Sequence, residues 1–420
     1  MKLPQGIQFS NPSLVCKLNK SLYGLKQASR QWFAKLSHSL ISLGYKQSHH
    51  GHSLFTKTTQ SSFTALLIYV DDLILAGNDP KEITTVKNYL HRTFKIKDLG
   101  DLRYFLGLEV ARSKHGITLC QRKYAIDLLS DTNFLTSKPV PTTMVRSTHL
   151  HQNDSKPYSN PLLYRQLVGR LLYLTNTRPD ITFAIQQLTQ FMANPTINHH
   201  KAINRVLRYI KGTIGQGLFY PSNYIIHLKG YTDSDWATCP DTRRSISGYC
   251  MFLGNSLVSW KAKKQNTASR SSSEVEYRAL AIASCEVQWL TYLLNDFHVI
   301  FKTPALLYCD NDSARHIAAN SVFHEKTKHI EIDCHVARER LQNNLFHLLP
   351  IPTSEQGVDL LTKALEPSTF NYLLPKLGVL NLYSLAWGVL LGTGFSGSFV
   401  FSFQMLSCVH KEPEYIDSEA

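Results

Sequence analysis

The chain opens with apolar residues at helical spacing and then changes period repeatedly. In LYGLKQASRQWFAKLSHSLISL, residues 22–43, Leu22, Leu25, Trp32, Phe33, Leu36 and Leu40 form one apolar side, which predicts a helix. FTALLIYVDDLILAG, 63–77, reads as strand, turn, strand, and PKEITTVKNYLHRTF, 80–94, as a second helix. LRYFLGLEVARS and GITLCQ are strand-like and parted by a turn at His115–Gly116. The polar, proline-rich stretch 137–161 is a connector. Two helices split at Arg178–Pro179, YRQLVGRLLYLTNT and DITFAIQQLTQFMAN, precede a basic amphipathic one, HHKAINRVLRYIKGT. Near residue 222 the pattern turns to strands: IIHLKGYTDSDW, SISGYCMFLG and NSLVSWKAKK. A long helix over 273–296, strand ALLYCD, a short helix at 312–320, strand-like HIEIDCHV and a final helix at 355–365 complete an α/β series.

Acidic residues stand at the ends of these elements rather than along their wet faces. Asp71 and Asp72 sit at the tip of an apolar hairpin. Adjacent carboxylates repel each other, and a divalent cation, such as magnesium with its preference for oxygen ligands, compensates them. An acidic turn facing water gives the same pattern. Farther on, Asp233 ends the strand IIHLKGYTD, Glu276 lies in the first turn of the long helix, Asp310 ends ALLYCD and Asp359 lies in the last helix. Open α/β sheets place ligands at such strand ends. Each position has a plainer reading. Ser273 and Glu276 fit a capping box, Asp359 fits a surface, and Asp235, two residues beyond Asp233, is an alternative ligand. His329, Glu331, Asp333 and His335 alternate with Ile330, Ile332, Cys334 and Val336, as either a metal face or the wet side of a strand.

Charge adds a contrast between halves. Residues 1–225 carry 28 Lys and Arg against 11 Asp and Glu, whereas residues 226–420 carry 17 against 20. A basic half that grips a polyanion beside a half that gathers carboxylates fits this division. The eight cysteines stand singly with no CxxC pair, which argues against a zinc knuckle or a disulfide scaffold and for a reducing compartment. The N-terminus has no apolar core of a signal peptide. Residues 377–409 contain no Asp, Glu, Lys or Arg, yet glycine and serine interrupt their hydrophobicity, which favours an irregular tail over a membrane anchor.

Several motifs together resemble the copia-type retrotransposon Pol polyprotein. YVDD at a hairpin tip is similar to the metal-binding motif of reverse transcriptases. LNKSLYGLKQASRQWF resembles the helix behind the incoming nucleotide, with Ser29 where the family usually carries proline. DLGDLRYFLGLEV resembles the primer-gripping segment, and YRQLVGRLLYLTNTRPDI the connecting region. GYTDSDWATCPDTRRSISGYCMFLG, SRSSSEVEYRALA, LYCDNDSA and KTKHIEIDCHVARERL are similar to that family's ribonuclease H.

The resemblance implies a fold of α/β and α+β class. It expects a partial reverse-transcriptase palm and thumb over 1–135, a connection over 136–222, and a ribonuclease H-like α/β domain over 223–368. An extension follows over 369–420. It implies that Asp233, Glu276, Asp310 and Asp359 bind two Mg²⁺, or Mn²⁺ in their place, and cut the RNA of an RNA–DNA hybrid. Asp71 and Asp72 belong to the polymerase site, whose third Asp comes from an upstream strand. Residues 1–70 contain no Asp or Glu, so the expectation is that polymerisation belongs to the full-length parent. Gly24, Lys26 and Gln27 are expected to face nucleotide or nucleic acid. Lys261, Lys263, Lys264 and Arg270 either seat phosphates or form a solvated basic loop. His329 is a candidate for aiding product release. Expected partners are the hybrid and a DNA or RNA template-primer, with no small-molecule cofactor and no membrane. The expected location is a virus-like particle in the cytoplasm, or the nucleus. The alternative function is an inert nucleic-acid-binding remnant of a decayed element.

Overall fold

The computed structural model describes residues 25, 27–223, 225–319, 331–382 and 405–411, the last as backbone. The chain divides into two compact units, residues 1–102 with 403–420, and residues 103–402.

In the first unit, Ala28–Ser42 forms α1, with Leu36 and Leu40 fully buried and Trp32 and Phe33 packed against the same core. Lys46–Gln47 (β1), Leu54–Thr58 (β2), Phe63–Tyr69 (β3) and Asp72–Gly77 (β4) pair antiparallel in sequence. Pro80–Phe94 (α2) begins where expected, because Asp79 accepts hydrogen bonds from the Lys81 and Glu82 amides and Pro80 presets the first turn. It ends at Lys95 in the left-handed region. Ile96–Asp101 (β5) does not pair with β4. Met405–Lys411 (β16) lies between them, antiparallel to both, with His410 in register with Asp72 and Lys97. The expected irregular tail thus supplies a strand here, while residues 383–404 lie outside the described residues. Among the described residues no helix is long and apolar enough to cross a membrane.

The second unit holds two sheets. Tyr104–Phe105 (β6), Leu108–Ser113 (β7), Gly116–Cys120 (β8), Gln216–Pro221 (β9) and Val379–Asn381 (β15) form one, in the order β15-β9-β8-β7-β6. Arg122–Asp131 (α3), Pro161–Leu174 (α4), Thr182–Thr189 (α5) and Ile197–Gly212 (α6) are the helices between β8 and β9. A buried ion pair fixes the break between α4 and α5. Arg178 Nε and Nη2 donate to Asp180 Oδ1 and Oδ2 at 2.9 and 2.7 Å, and Tyr209 Oη donates to the same Oδ2 at 2.7 Å. The remaining guanidinium donors reach Thr213 and Gln216, so every partner of this buried charge is named within the unit.

Leu228–Asp235 (β10), Ile246–Leu253 (β11) and Ser256–Lys264 (β12) run antiparallel, Ser272–Asp296 (α7) crosses over, and Ala305–Cys309 (β13) returns parallel to β10. Asp312–Ala319 (α8) and Glu331–Gln342 (α9) precede Phe346–Pro350 (β14), which pairs parallel to β13. The sheet order is β12-β11-β10-β13-β14. Asp359–Thr362 (α10) and Pro367–Leu373 (α11) follow.

The sheet is covered on both faces. Met251, Tyr249 and Leu307 pack with α7, while Ile246, Cys250 and Phe252 join the core of α4, α5, α6 and α10. Residues 136–222 and 223–368 therefore share one core, and the expected division at 222 marks a change of element type inside a single unit.

One element is corrected. Where a strand was expected over HIEIDCHV, residues 331–336 are the start of α9, because Cys334, Ala337 and Arg338 bury one helical side and Ile332 is 80% exposed. Both readings of the alternation, a metal face or the wet side of a strand, presuppose a strand that residues 331–336 do not form. His335 is exposed and Asp333 half-buried, and His329 lies outside the described residues. The true last strand, β14, was hidden by the two prolines of FHLLPIP.

Candidate active site

Four carboxylates from four elements meet at the end of the second sheet. β10 carries Asp233, 1% exposed, beside its neighbour β13, whose end presents Asp310. The parallel pairing of β10 with β13 sets these two strand ends side by side, as the crossover through α7 requires.

Glu276 arrives from the first turns of α7. The helix cap is Ser271, whose Oγ accepts from the Glu274 amide, and Glu274 in turn accepts from the Arg270 amide. The cap thus lies two residues earlier than the expected Ser273, which leaves Glu276 for the site. Its Oε1 accepts from the Ser234 amide at 3.2 Å, and its Oε2 is buried with no hydrogen-bond partner.

Asp359 comes from α10, which lies on β11 because Gly248 has no side chain. A Cβ there would stand 2.8 Å from Val358 Cγ1 and 2.9 Å from Thr362 Cγ2. Gln356 Nε2 ties the same segment to the Thr232 carbonyl at 3.0 Å. Two residues missed from sequence complete the contact: Thr362 Oγ1 donates to Asp233 Oδ2, and Lys363 Nζ lies 2.7 Å from Asp359 Oδ1 and 3.3 Å from Asp233 Oδ1. Their signal was the i+3 and i+4 spacing from Asp359 on the last helix. Thr353 Oγ1 donates to Asp310 Oδ2 at 3.1 Å.

The electrostatics follow from crowding negative charge in a dry place. Burial, then the charges of Asp233 and Asp310, pushes the Glu276 carboxyl up to about 9. Burial, then Asp233, pushes Asp359 up to about 7. Burial alone would lower Lys363, but Asp233 and Asp359 outweigh it and hold the ammonium form. Asp235 is raised mainly by burial and lines an adjoining groove rather than the Glu276 side. Ligand atoms of Glu276, Asp310 and Cys309 lie within 4.8 Å of one another. Burial pushes the Cys309 thiol up to about 12, so it walls the site as a neutral group.

This donor set fits a hard divalent cation: several carboxylate oxygens, one of them buried and unpartnered, with protonation and the Lys363 ammonium as the other sources of relief. Asp71 and Asp72 differ. Val70 and Asp71 form the two-residue turn at the β3–β4 tip and Asp72 opens β4; both aspartates are part-exposed, with Val70 at φ 51° and Trp32 Nε1 donating to the Val70 carbonyl at 2.7 Å. Among the described residues no third ligand group joins them.

The expected nucleic-acid contacts scatter. Lys261, Lys263 and Arg270 are exposed, but Lys264 turns inward, 2.9 Å from both Gln190 Oε1 and Cys239 Sγ. Gln27 is exposed just before α1, and Gly24 and Lys26 lie outside the described residues.

Residues 1–146 match the reverse transcriptase (RNA-dependent DNA polymerase) family. The chain is 41% identical over 380 residues to the retrovirus-related Pol polyprotein from transposon RE1 of Arabidopsis thaliana. That alignment covers 90% of this chain and 26% of the relative, so the chain spans about a quarter of that polyprotein. It is 32% identical to the putative transposon Ty5-1 protein YCL074W of Saccharomyces cerevisiae, over 66% of this chain and 91% of that protein. Among solved structures, the N-terminal RNase H domain of rv2228c from Mycobacterium tuberculosis, in a maltose-binding-protein fusion, is 11% identical. It covers 36% of this chain and 98% of that one with a TM-score of 0.24. The ribonuclease H-like class rests on the strand order itself: three antiparallel strands, then two parallel ones on the other side of the first.

Proposed function

The chain belongs to the copia-type family of retrotransposon Pol polyproteins, and on that premise we propose that its second unit hydrolyses the RNA strand of RNA–DNA hybrids. The observation that carries this reading is the convergence of Asp233, Glu276, Asp310 and Asp359 around an unpartnered, buried Glu276 Oε2. These four residues would hold Mg²⁺, or Mn²⁺ in its place. Two such ions, when bound, supply an activated water and stabilise charge on the leaving 3′-oxygen.

The chain's own groups do the positioning. The Ser234 amide and Thr362 hydroxyl aim Glu276 and Asp233, Thr353 aims Asp310, and the closed packing of α10 on β11 keeps bulk water from the buried carboxylates. Exposed Lys261, Lys263 and Arg270 meet phosphates, and recognition of RNA over DNA comes from 2′-hydroxyl contacts in the minor groove. RNA-directed DNA synthesis on a template-primer belongs to a chain that brings a third carboxylate to Asp71 and Asp72.

The test is the full chain on a labelled RNA–DNA hybrid. Cleavage is expected with Mg²⁺, none with a chelator, and a loss on the order of a hundredfold or more in Asp233→Asn. Hybrid retention without cleavage by the unaltered chain would instead establish the inert-remnant reading. Primer extension is expected to yield no product.

A further inference from the structure

Lys363 occupies a position in which it competes with a cation. Its ammonium bridges Asp359 Oδ1 at 2.7 Å and Asp233 Oδ1 at 3.3 Å, so one side of the carboxylate cluster is already neutralised. The other side has no positive charge among the described residues: Glu276 Oε2 is buried without a partner, and Asp310 accepts from the neutral Thr353 hydroxyl. The cluster is therefore divided into a half with a built-in positive charge and a half without one.

Lys363 is also free to leave. It follows the last turn of α10 with an extended backbone, φ −132° and ψ 151°, and its side chain is 29% exposed. A groove with a cavity volume of about 420 Å³ adjoins it, lined by Asp235, Thr238 and Asp359 and, from the connector, by Arg146 and His149. The flexible four-carbon stem of lysine carries its charge between two such places without moving the backbone.

Resting on the metal-dependent reading above, we propose that Lys363 is a displaceable counter-ion. Without metal it neutralises Asp233 and Asp359. Glu276 and Asp310 would hold a first divalent ion with Lys363 still in place. Where Asp233 and Asp359 take a second, the Lys363 ammonium would move into the groove, where with Arg146 it would meet the phosphate backbone of the bound strand. An ammonium and a divalent ion a few ångström apart repel strongly in a partly dry site, so the two do not share the same oxygens. The device keeps the second ion loosely held until a polyanion is present to receive the lysine.

The experiment is Mn²⁺ titration calorimetry on the full chain, comparing the unaltered protein with Lys363→Met, Lys363→Gln and Lys363→Arg. Two affinities are expected in the unaltered protein. The weaker one tightens by about tenfold in the Met and Gln variants, the scale of removing one like charge nearby, while the stronger one and both values in the Arg variant stay put. With Ca²⁺ present, the slope of log Kd for a hybrid against log salt falls by about 1 in Lys363→Met. Unchanged Mn²⁺ affinity or an unchanged salt slope in the folded Met or Gln variant overturns the proposal while the metal-dependent reading stands. Absence of any Mn²⁺ binding that Asp233→Asn abolishes sinks both.

Discussion

The two acidic sites of this chain treat the same chemical problem differently. At the β3–β4 tip, Asp71 and Asp72 stand part-exposed in water, and the local cost is conformational, a β-branched Val70 held at φ 51° under the Trp32 bond. At the end of the second sheet, Asp233, Glu276 and Asp359 are nearly closed off, and the cost is electrostatic, read in carboxyls pushed up to about 9 and about 7. A pair of acids leaves room for solvent. Four acids on four packed elements exclude it, and then only a proton, Lys363 or a divalent ion restores balance. The difference teaches that a buried acidic cluster carries its own demand for a cation, whereas an acidic turn acquires one only when further ligands arrive.

The largest effect separating the two sites is expected at Glu276. Glu276→Gln should lower hybrid cleavage by on the order of a hundred- to a thousandfold, the range for losing one electrostatic support in a hydrolytic site. In metal-free protein above about pH 9 the same change should raise the melting temperature of the second unit, because there it removes an unpaired buried charge. The pH dependence has a definite sign. Glu276 rises from 4.5 to about 9 and Asp359 from 3.8 to about 7, so the folded chain holds protons that the unfolded chain has released. Their contribution is fully present at acid pH below the ordinary carboxyl values and is lost progressively as pH climbs from there to about 7 for Asp359 and about 9 for Glu276. Melting in a chelator should decline over that window, Mg²⁺ should flatten the decline, and Glu276→Gln should remove its upper part. A flat profile without metal would contradict the crowding argument.

Asp180 sharpens the contrast, since it is as buried as Glu276 but fully partnered. Its side chain is 0% exposed and that of Arg178 is 2%, with Tyr209 completing the set. Asp180→Ala leaves a buried guanidinium without its counter-charge and should cost about 3–5 kcal/mol in urea unfolding of the second unit. Opposite signs at two equally buried acids, one stabilising and one destabilising on neutralisation, would establish that pairing rather than depth distinguishes a structural carboxylate from one that awaits a ligand.

Much of this was legible beforehand, for physical reasons that differ by element. The helix read over 80–94 matches α2 to the residue, and the structure shows why: Asp79 and Pro80 fix its start and Phe94 closes its apolar side. The four acids were found by their place at element ends, a signal that depends on order along the chain and not on contact. Pattern failed at HIEIDCHV, where strict alternation and a helical face share Cys334, and only burial of Cys334 with Ala337 separates them. It failed at Lys264 too, since whether a lysine faces water or Gln190 is decided by what packs across the strand. Lys363 escaped notice because a basic residue four positions after an acid is an ordinary helix pair in sequence, and becomes unusual only when Asp233 closes on it from another element.

The smallest effect tests the other side of the comparison. Val70→Gly removes a Cβ from the left-handed region, where a β-branched residue costs on the order of 1–3 kcal/mol. Glycine gives back about 0.5–1 kcal/mol through its greater freedom in the unfolded chain, so a net gain of about 1 kcal/mol is expected. The Trp32 bond should survive, because it is made to the Val70 carbonyl and not to its side chain. Hydrogen exchange at Ile68 and Leu73, which pair across the hairpin next to the tip, reads the change directly. Slower exchange means that the native tip stores conformational strain to hold Asp71 and Asp72 in one aim. Faster exchange means that the valine contributes packing that outweighs its backbone cost, and the hairpin would then differ from the buried cluster in exposure alone.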